Sequence, residues 1–228
     1  YCRGRGGSMH IADVGKGNLG ANGIVGGGIP IAVGAALAAK RLGTKAVTVC
    51  FFGDGANNEG AFHEALNIAS VWKLPVVFVC ENNKYGMSTS TERSTAVKQI
   101  ATRAIAYDMP GESVDGNDFS SVAQAVDHAV KRARNGDGPS LIENITYRWR
   151  GHSRSDRNRY RTKEEISAWQ EKDPIERMRL MLTEHGIVDP DKIATIENEV
   201  EQTIEAAITF AMEGPDPLPG DATNYVYT

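Results

Sequence analysis

The stretch FFGDGANNEG, residues 51–60, decides the fold of this chain. It overlaps the end of an apolar run, KAVTVCFF at 45–52, and it sets Asp54 between two glycines. Glycine has no side chain, so the backbone can turn sharply at Gly53 and Gly55 and let another group approach closely. Taken alone, G-D-G is typical of a tight turn whose aspartate caps the next helix. The neighbouring sequence therefore has to decide between a turn and a binding site.

Length and composition limit the class of protein. The chain has 228 residues, 41% of them hydrophobic and 24% charged, with a formal net charge of -4. These values are ordinary for a globular protein with one large core, and they give no electrostatic reason to expect nucleic acid or an anionic membrane as partner. We expect a cytoplasmic protein. The first residues, YCRGRGG, lack a methionine, which predicts that a segment is missing and leaves the mitochondrial matrix open.

Apolar strands alternate with helical patterns along most of the chain. The predicted strands cover 45–52, 74–82, 111–116 and 139–149, and the predicted helices cover 31–43, 57–73, 94–107 and 118–135. Strands that are apolar throughout indicate a parallel sheet covered on both faces, a doubly wound α/β fold. Two amphipathic helices, 162–173 and 189–212, follow. We therefore predict an α/β domain over 1–162 and a C-terminal helical extension with a tail over 163–228.

Two details of these elements can be checked. Helical spacing places Phe62, Leu66, Ala69 and Trp72 on one face of the helix over 57–73. Cysteines fall in two of the predicted strands, at positions 50 and 80, where buried free thiols are expected. A third, Cys2, lies near the terminus.

The residues that follow the strands suggest a binding site. Ligands of open parallel sheets bind beyond the carboxyl ends of the strands, and Asp54 lies at one such end. The next strand ends in ENNKYG, so Asn82, Asn83 and Tyr85 should reach the same edge. One carboxylate with neutral oxygens is a suitable ligand set for a Mg²⁺ or Ca²⁺ ion that also binds phosphate oxygens. The helix expected after Gly55 would offer its free N–H groups to the same phosphates. The pattern predicts a diphosphate–metal site.

The same residues resemble a known family. GDG followed after 26 residues by NN is similar to the thiamine diphosphate-binding motif, and the stretch 53–90 is similar to the alpha subunit of the decarboxylating component of 2-oxoacid dehydrogenase complexes. The resemblance extends over almost the whole chain and includes GGSMH, GANGIVGGGIP, TYRWRGHSRSD and YRTKEEI. It implies the thiamine diphosphate-binding fold and Mg²⁺ as second cofactor.

The resemblance also implies roles for particular residues. The metal would be held by Asp54, Asn83 and the backbone carbonyl of Tyr85. The implied contacts to thiamine diphosphate are Gly23, Ile24, Val25, Asp54, Gly55, Ala56, Asn83 and His152. In the arginine-rich run that surrounds His152, the implied catalytic residues are His152, near the diphosphate and the lipoyl group, and Arg148, which orients the loop.

Several functions stay open at this stage. The resemblance favours pyruvate dehydrogenase, which decarboxylates the 2-oxoacid and passes the acyl group to lipoamide, and the cationic loop would suit such an anionic substrate. Acetoin dehydrogenase is the alternative, since GGSMHIADVGKGNLGANGIVGGG is also similar to its alpha subunit, and branched-chain 2-oxoacids come next. The implied partners are a beta subunit, in an assembly of two alpha and two beta chains, and a lipoyl-bearing acyltransferase. A non-catalytic module that binds a diphosphate is the alternative outside enzymes.

Overall fold

The computed structural model describes residues 6–224. Cys2 therefore lies outside the described residues. The described residues divide into two compact units, residues 24–178 and residues 6–23 together with 179–224. The larger unit holds every predicted site residue except Gly23. The predicted boundary at 162/163 stays a prediction. No helix within residues 6–224 combines the length and the apolar character needed to cross a bilayer.

A parallel sheet forms the centre of the larger unit. The strands of this unit are β1 (Thr48–Gly53), β2 (Val76–Asn82), β3 (Tyr85–Gly86), β4 (Thr89–Ser90), β5 (Gly111–Asp115) and β6 (Ser140–Ile145). Four of them make a parallel sheet in the order β1-β2-β6-β5, and β3 pairs with β4 as a small antiparallel hairpin. In register, Phe52 of β1 faces Cys80 of β2, and Cys80 faces Glu143 of β6. The ends of β1 and β2 are therefore neighbours, as predicted.

The described residues contain α-helices and short 3-10 helices. The α-helices are α1 (Gly28–Arg41), α2 (Gly60–Val71), α3 (Thr91–Ser94), α4 (Phe119–Arg134), α5 (Lys163–Gln170), α6 (Pro174–Glu184) and α7 (Pro190–Glu213). The 3-10 helices are Ser8–His10, Val14–Lys16, Asp54–Asn58, Ile100–Tyr107 and Pro219–Thr223. The smaller unit contains α7, whose first turn is capped by the Asp189 carboxylate.

Two apolar clusters show that the sheet is covered on both faces. One contains Phe62 of α2 and Phe78 of β2, both fully buried. The other contains Val77 of β2 and Ala125 of α4. Because side chains of β2 alternate between the two clusters, every position of this strand up to Cys80 can be apolar. The predicted doubly wound α/β fold is confirmed, and so are the buried thiols, with burial raising the pKa of Cys50 to about 11.

One helix face was predicted wrongly at its end. Phe62, Leu66 and Ala69 are buried as expected, but Trp72 is 48% exposed. The helix α2 ends at Val71, and Lys73 then takes a positive φ of 46°. Trp72 has therefore left the helical path before it could return to the buried face.

Three other elements differ from the prediction. The stretch 94–107 is not one helix: Thr95 to Gln99 are extended or bent, and a 3-10 helix starts at Ile100, because the Ala101 N–H donates to Glu143 and not to a helical carbonyl. The strand β6 ends at Ile145 and not at Trp149, and the Thr146 N–H, which bonds the Asn82 carbonyl, still belongs to its pairing with β2. The helix α6 was not predicted separately.

Candidate functional site

Asp54 occupies the end of β1, where the sheet meets its connecting loops. The residue is 2% exposed. Its Oδ1 accepts the backbone N–H of Asn83 at 3.3 Å, and its Oδ2 faces the Thr91 hydroxyl at 3.4 Å. Burial raises the pKa of Asp54, and these two donors and the charge of Arg148 only partly oppose that shift. These two hydrogen bonds are long and therefore weak, so they replace only part of the hydration that the carboxylate loses on burial.

The turn after Asp54 differs from the predicted one. An α-helix was expected to start directly after Gly55, but Asp54–Asn58 is a 3-10 helix and α2 begins only at Gly60. The Asn57 side chain donates to the Asp54 carbonyl, and the Glu59 N–H closes the turn on the Ala56 carbonyl. These bonds tighten the turn, so the N–H groups next to Asp54 belong to a five-residue helix.

The two consecutive asparagines have different environments. Asn82 is 2% exposed, and its amide is bonded at both ends: Nδ2 donates to Glu143 at 2.6 Å, and Oδ1 accepts the Lys84 N–H, with the Thr91 hydroxyl 3.3 Å away. Asn83 Oδ1 is also buried but has no hydrogen-bond partner among the described residues. A buried oxygen without a donor is costly, which suits a ligand position. The structure thus separates a supporting Asn82 from a candidate ligand, Asn83.

The hairpin β3–β4 closes the site from one side. A Cβ built on Gly55 would lie 3.5 Å from the Gly86 Cα, and one built on Gly86 would lie 3.4 Å from the Gly55 Cα. The two backbones therefore meet at glycine positions, which leaves little room for side chains between them. The Tyr85 carbonyl, a predicted metal ligand, accepts a hydrogen bond from Arg148 Nη1 at 3.1 Å. Its second lone pair stays open to another partner.

This set of oxygens fits a magnesium ion with a diphosphate. Mg²⁺ binds in proteins through one or two carboxylates together with neutral oxygens and phosphate oxygens. Asp54 supplies the single carboxylate, and Asn83 supplies a buried amide oxygen that lacks a donor. Within residues 6–224 no cluster of three or more His, Cys, Asp or Glu could hold a metal. A site that relies on one carboxylate therefore agrees with the residues present.

The glycine-rich segment predicted to touch the cofactor is split between the two units. Gly23 belongs to the smaller unit, where a Cβ on it would meet the His10 ring at 3.4 Å. Ile24 and Val25 begin the larger unit and are 72% and 63% exposed. The next residue, Gly26, has φ +77°, and a Cβ there would press on Glu59 at 3.2 Å. The segment thus reaches the turn that follows Asp54 through Gly26.

Arg148 joins the arginine-rich loop, residues 148–161, to the hairpin. Its guanidinium donates to the carbonyls of Tyr85 and Met87 and to the hydroxyl of Tyr160. It also lies 3.4 Å from Nδ1 of His152. Since arginine can only donate, Nδ1 is the acceptor in this contact, and a neutral His152 ring then carries its proton on Nε2. The predicted orienting role of Arg148 agrees with these contacts.

Asp156 holds His152 from the other side of the loop. Its Oδ2 accepts the backbone N–H of His152 at 2.8 Å and the Tyr160 hydroxyl at 2.7 Å, and its Oδ1 accepts the Asn158 N–H. The Tyr160 hydroxyl and then the two N–H groups lower the pKa of Asp156 to about 2. Gly151 makes room for this carboxylate, because a Cβ there would lie 2.8 Å from the Asp156 Cβ.

Arg161 forms the buried anchor of the loop. Its guanidinium lies 5.3–5.6 Å from the ring centres of Tyr85, Tyr147 and Tyr160. It donates to the carbonyls of Arg148 and Arg150 and to Asn158 Oδ1. Glu165 of α5 accepts the Tyr85 hydroxyl at 2.9 Å, and burial, with the added effect of this carboxylate, raises the pKa of Tyr85 to about 12. Arg148 and Arg161 are therefore built into packed contacts, whereas the other arginines of the loop are exposed: Arg150, Arg154, Arg157 and Arg159.

An open cavity of about 480 Å³ lies between this loop and the hairpin. Its lining residues are Met87, Ser88, His152, Ser153, Asp156, Arg157, Arg159 and Tyr160. Two arginines and one histidine on its wall give it a basic character that suits an anionic group.

Comparison with known proteins places the chain in a family. The model of the dehydrogenase E1 component matches residues 2–219. The chain belongs to the dehydrogenase E1 component family. This membership confirms the predicted relationship to an oxidoreductase component that depends on thiamine diphosphate.

Relatives of this E1 chain carry two kinds of name. The chain is 53% identical to the alpha subunit of acetoin:2,6-dichlorophenolindophenol oxidoreductase from Bacillus subtilis (strain 168), over 99% of this chain and 68% of that protein. It is 46% identical to the subunit of the same name from Cupriavidus necator, over 99% and 68%. It is 40% identical to the pyruvate dehydrogenase E1 component subunit alpha from Porphyra purpurea, over 99% and 67%. The predicted function class is supported by both names.

Some residues of this E1 site were missed by the sequence prediction. They are Glu143 and Thr91, which support the asparagine pair, and Asp156, Tyr160 and Glu165, which support the arginine-rich loop; Arg161 lies in the arginine-rich run but was given no role. A local signal for Glu143 was an acidic residue directly after the apolar pair Leu141 and Ile142 in a strand of a buried sheet, since a buried carboxylate requires donors from elsewhere. The remaining contacts depend on segments that are distant in sequence.

Proposed function

We propose that this chain is the alpha subunit of a thiamine diphosphate-dependent E1 component that decarboxylates a 2-oxoacid, pyruvate first, and passes the acyl group to lipoamide. The observation that carries the proposal is the meeting of Asp54 and Asn83 at the ends of adjacent parallel strands, with the Asn83 oxygen buried and without a donor. A structural turn would satisfy that oxygen, whereas a ligand position explains it.

The cofactor would be held by residues already described. Asp54, Asn83 and the carbonyl of Tyr85 would bind Mg²⁺, and the backbone at Gly55 and Ala56 would face the diphosphate. Gly23, Ile24 and Val25 would contact the cofactor from the glycine-rich segment. When bound, thiamine diphosphate supplies the nucleophilic carbon that breaks the bond beside the substrate carbonyl.

His152 and Arg148 would serve the transfer step. The contact between Arg148 and Nδ1 leaves Nε2 as the hydrogen-bearing nitrogen of a neutral His152 ring, so this residue can donate a hydrogen bond to a group in the cavity that it lines. Arg157 and Arg159 on the same wall would attract the carboxylate of an incoming 2-oxoacid. Arg148 would hold the loop in place without taking part in the bond changes.

The proposal includes partners. A beta subunit would complete the site in an assembly of two alpha and two beta chains, since the family places the glutamate that activates the cofactor on that chain. A lipoyl-bearing acyltransferase would accept the acyl group. The cytoplasm is the proposed compartment, with the mitochondrial matrix as the alternative.

Acetoin is the second candidate substrate, because the identity to two acetoin-oxidoreductase subunits, 53% and 46%, exceeds the 40% to a pyruvate dehydrogenase subunit. The two substrates differ in what they release. Pyruvate loses CO₂ and acetoin loses acetaldehyde, although both leave a two-carbon acyl unit. Branched-chain 2-oxoacids would release CO₂ and leave a longer unit.

The test is co-expression with the beta subunit, followed by reduction of 2,6-dichlorophenolindophenol with each substrate and measurement of CO₂ and acetaldehyde. We expect CO₂ from pyruvate, with a higher kcat/KM than for acetoin or branched-chain 2-oxoacids. Acetaldehyde, released from acetoin, as the main product would instead identify the chain as an acetoin dehydrogenase subunit. Melting curves with thiamine diphosphate and Mg²⁺ against ADP and Mg²⁺ separate the enzyme from a mere diphosphate-binding module, since a native-state ligand raises stability. Equal stabilisation by both would refute the proposal.

A further inference from the structure

A buried carboxylate lies behind the asparagine pair. Glu143, in the middle of β6, is fully buried. Its Oε1 accepts Asn82 Nδ2 at 2.6 Å, and its Oε2 accepts the Ala101 N–H at 3.1 Å and the Ser113 hydroxyl at 2.5 Å. These hydrogen bonds come from β2, from the 3-10 helix 100–107 and from β5. Burying a carboxylate is costly unless such donors compensate it, so its position in the sheet calls for an explanation.

The carboxylate determines how the Asn82 amide is oriented. A carboxylate only accepts, so Asn82 must turn its NH₂ group toward Glu143. Its Oδ1 is then directed to the Lys84 N–H at 3.2 Å and the Thr91 hydroxyl at 3.3 Å. Thr91 in turn lies 3.4 Å from Asp54 Oδ2. The Thr91 hydroxyl has one hydrogen and faces two acceptors, so it bonds either Asn82 or Asp54 at a time, and the continuous chain of bonds from Glu143 runs through Asn82 to the Lys84 N–H.

The same orientation shapes the turn that carries Asn83. The bond from the Lys84 N–H to Asn82 closes the turn directly after Asn83, where Lys84 takes a φ of +75°. The Asn83 N–H meanwhile points at Asp54. Both candidate metal ligands are therefore held by bonds that trace back to the Asn82 amide.

We propose that Glu143 is a positioning residue for the metal site: through the Asn82 amide and the turn that this amide closes at Lys84, it holds Asn83 against Asp54 in the arrangement that binds Mg²⁺. This inference rests on the proposed function. Supporting partners of metal ligands commonly change metal affinity by about 10- to 100-fold when they are removed. Glu143 does not touch the metal or the substrate, so its effect should appear in metal affinity before it appears in the chemistry.

The Glu143→Gln substitution tests the orientation. Glutamine has one accepting oxygen, and if that oxygen stays with Ala101 and Ser113, its NH₂ group faces the NH₂ group of Asn82. The Asn82 amide must then turn over and present hydrogens to Lys84 and Thr91. We expect the Mg²⁺ concentration that half-saturates thiamine diphosphate binding to rise by ~10-fold or more.

A swapped pair makes the test sharp. Asn82→Asp alone sets two carboxylates face to face and should also weaken Mg²⁺ binding. The double variant Glu143→Gln/Asn82→Asp restores one donor facing one acceptor, with an oxygen again directed at Lys84 and Thr91. We expect its half-saturating Mg²⁺ concentration to be lower than that of either single variant. Ser113→Ala is the matched control, because it removes a donor to Glu143 on the side away from Asn82. It should lower the melting temperature and leave the Mg²⁺ dependence unchanged.

The measurement is calorimetric titration of thiamine diphosphate at several Mg²⁺ concentrations, on the full-length subunit assembled with its beta partner. Should Glu143→Gln fail to fold, Asn82→Asp and the double variant carry the test, because the double variant alone replaces the facing carboxylates by a donor and an acceptor. An unchanged Mg²⁺ dependence in Glu143→Gln or Asn82→Asp overturns the inference, and so does a double variant weaker than both singles. Absence of Mg²⁺-dependent binding in the unmodified assembly would instead refute the proposed function and the inference with it.

Discussion

Replacing Arg161 with lysine should release the arginine-rich loop while leaving the sheet intact. The guanidinium is 8% exposed and donates to three oxygens, the carbonyls of Arg148 and Arg150 and the Asn158 side chain. A lysine ammonium is a compact point charge that cannot span this fork, and it is harder to strip of water. The substitution keeps the charge, so its effect isolates the geometry of the hydrogen bonds.

The size of the effect follows from the bonds lost. Hydrogen bonds that involve a charged group contribute roughly 1.5–3 kcal/mol each. Lysine keeps one or two of the three, and the contacts with three tyrosine rings weaken as well. Because such contributions do not add fully, we expect the loop to lose about 3 kcal/mol of local stability. A loss of this size corresponds to a rise of ~10²-fold in the population of the opened loop.

Amide hydrogen exchange measures this opening directly. The N–H groups of His152 and Asn158 donate to Asp156, so their protection reports the closed loop. Their exchange should accelerate ~10²-fold in Arg161→Lys, while amides of β2 stay within ~2-fold. Arg154→Lys is the matched control, since Arg154 is exposed in the same loop and should leave the exchange unchanged. Unaltered protection of His152 and Asn158 in Arg161→Lys would refute the anchoring role.

Three further predictions concern the site. Asp54→Asn should abolish Mg²⁺-dependent cofactor binding in calorimetry. It should not lower the melting temperature, because burial already disfavours the charged form of Asp54. Unchanged cofactor affinity would contradict the metal assignment. His152→Ala should keep part of the decarboxylation measured with an artificial acceptor but lose ~10²-fold in transfer to a lipoyl domain, and equal losses would remove the transfer role. Asp156 has a pKa lowered from 3.8 to about 2, so its support of the loop should be complete above about pH 4 and vanish as the pH falls through about 2. Hydrogen exchange of the loop, corrected for its intrinsic pH dependence, should show this loss of support, and Asp156→Asn should not show it. A transition of the same size in the variant would exclude Asp156 as the group that titrates.

Local patterns were sufficient for the framework of this protein. The unbroken apolar strands indicated a sheet buried on both faces, and the structure has apolar clusters on both faces of β2. The spacing of Asp54 and Asn83 predicted that two strand ends would meet, and the Asn83 N–H does reach Asp54. Strand periodicity and turn chemistry are carried by neighbouring residues, so a single sequence contains them.

Contacts between distant segments decided most of the remaining features. The exception is Trp72, which left the buried face because α2 ended one residue earlier. In the stretch 94–107, the Ala101 N–H at the start of the 3-10 helix is bound by Glu143 of a distant strand. Arg161 became a buried anchor only because three tyrosines and two backbone carbonyls surround it in space. The sequence shows which hydrogen bonds a polar side chain can donate or accept. Its actual partner depends on how distant segments pack in the folded chain. For this reason only the structure separates the candidate ligand Asn83 from the supporting residue Asn82.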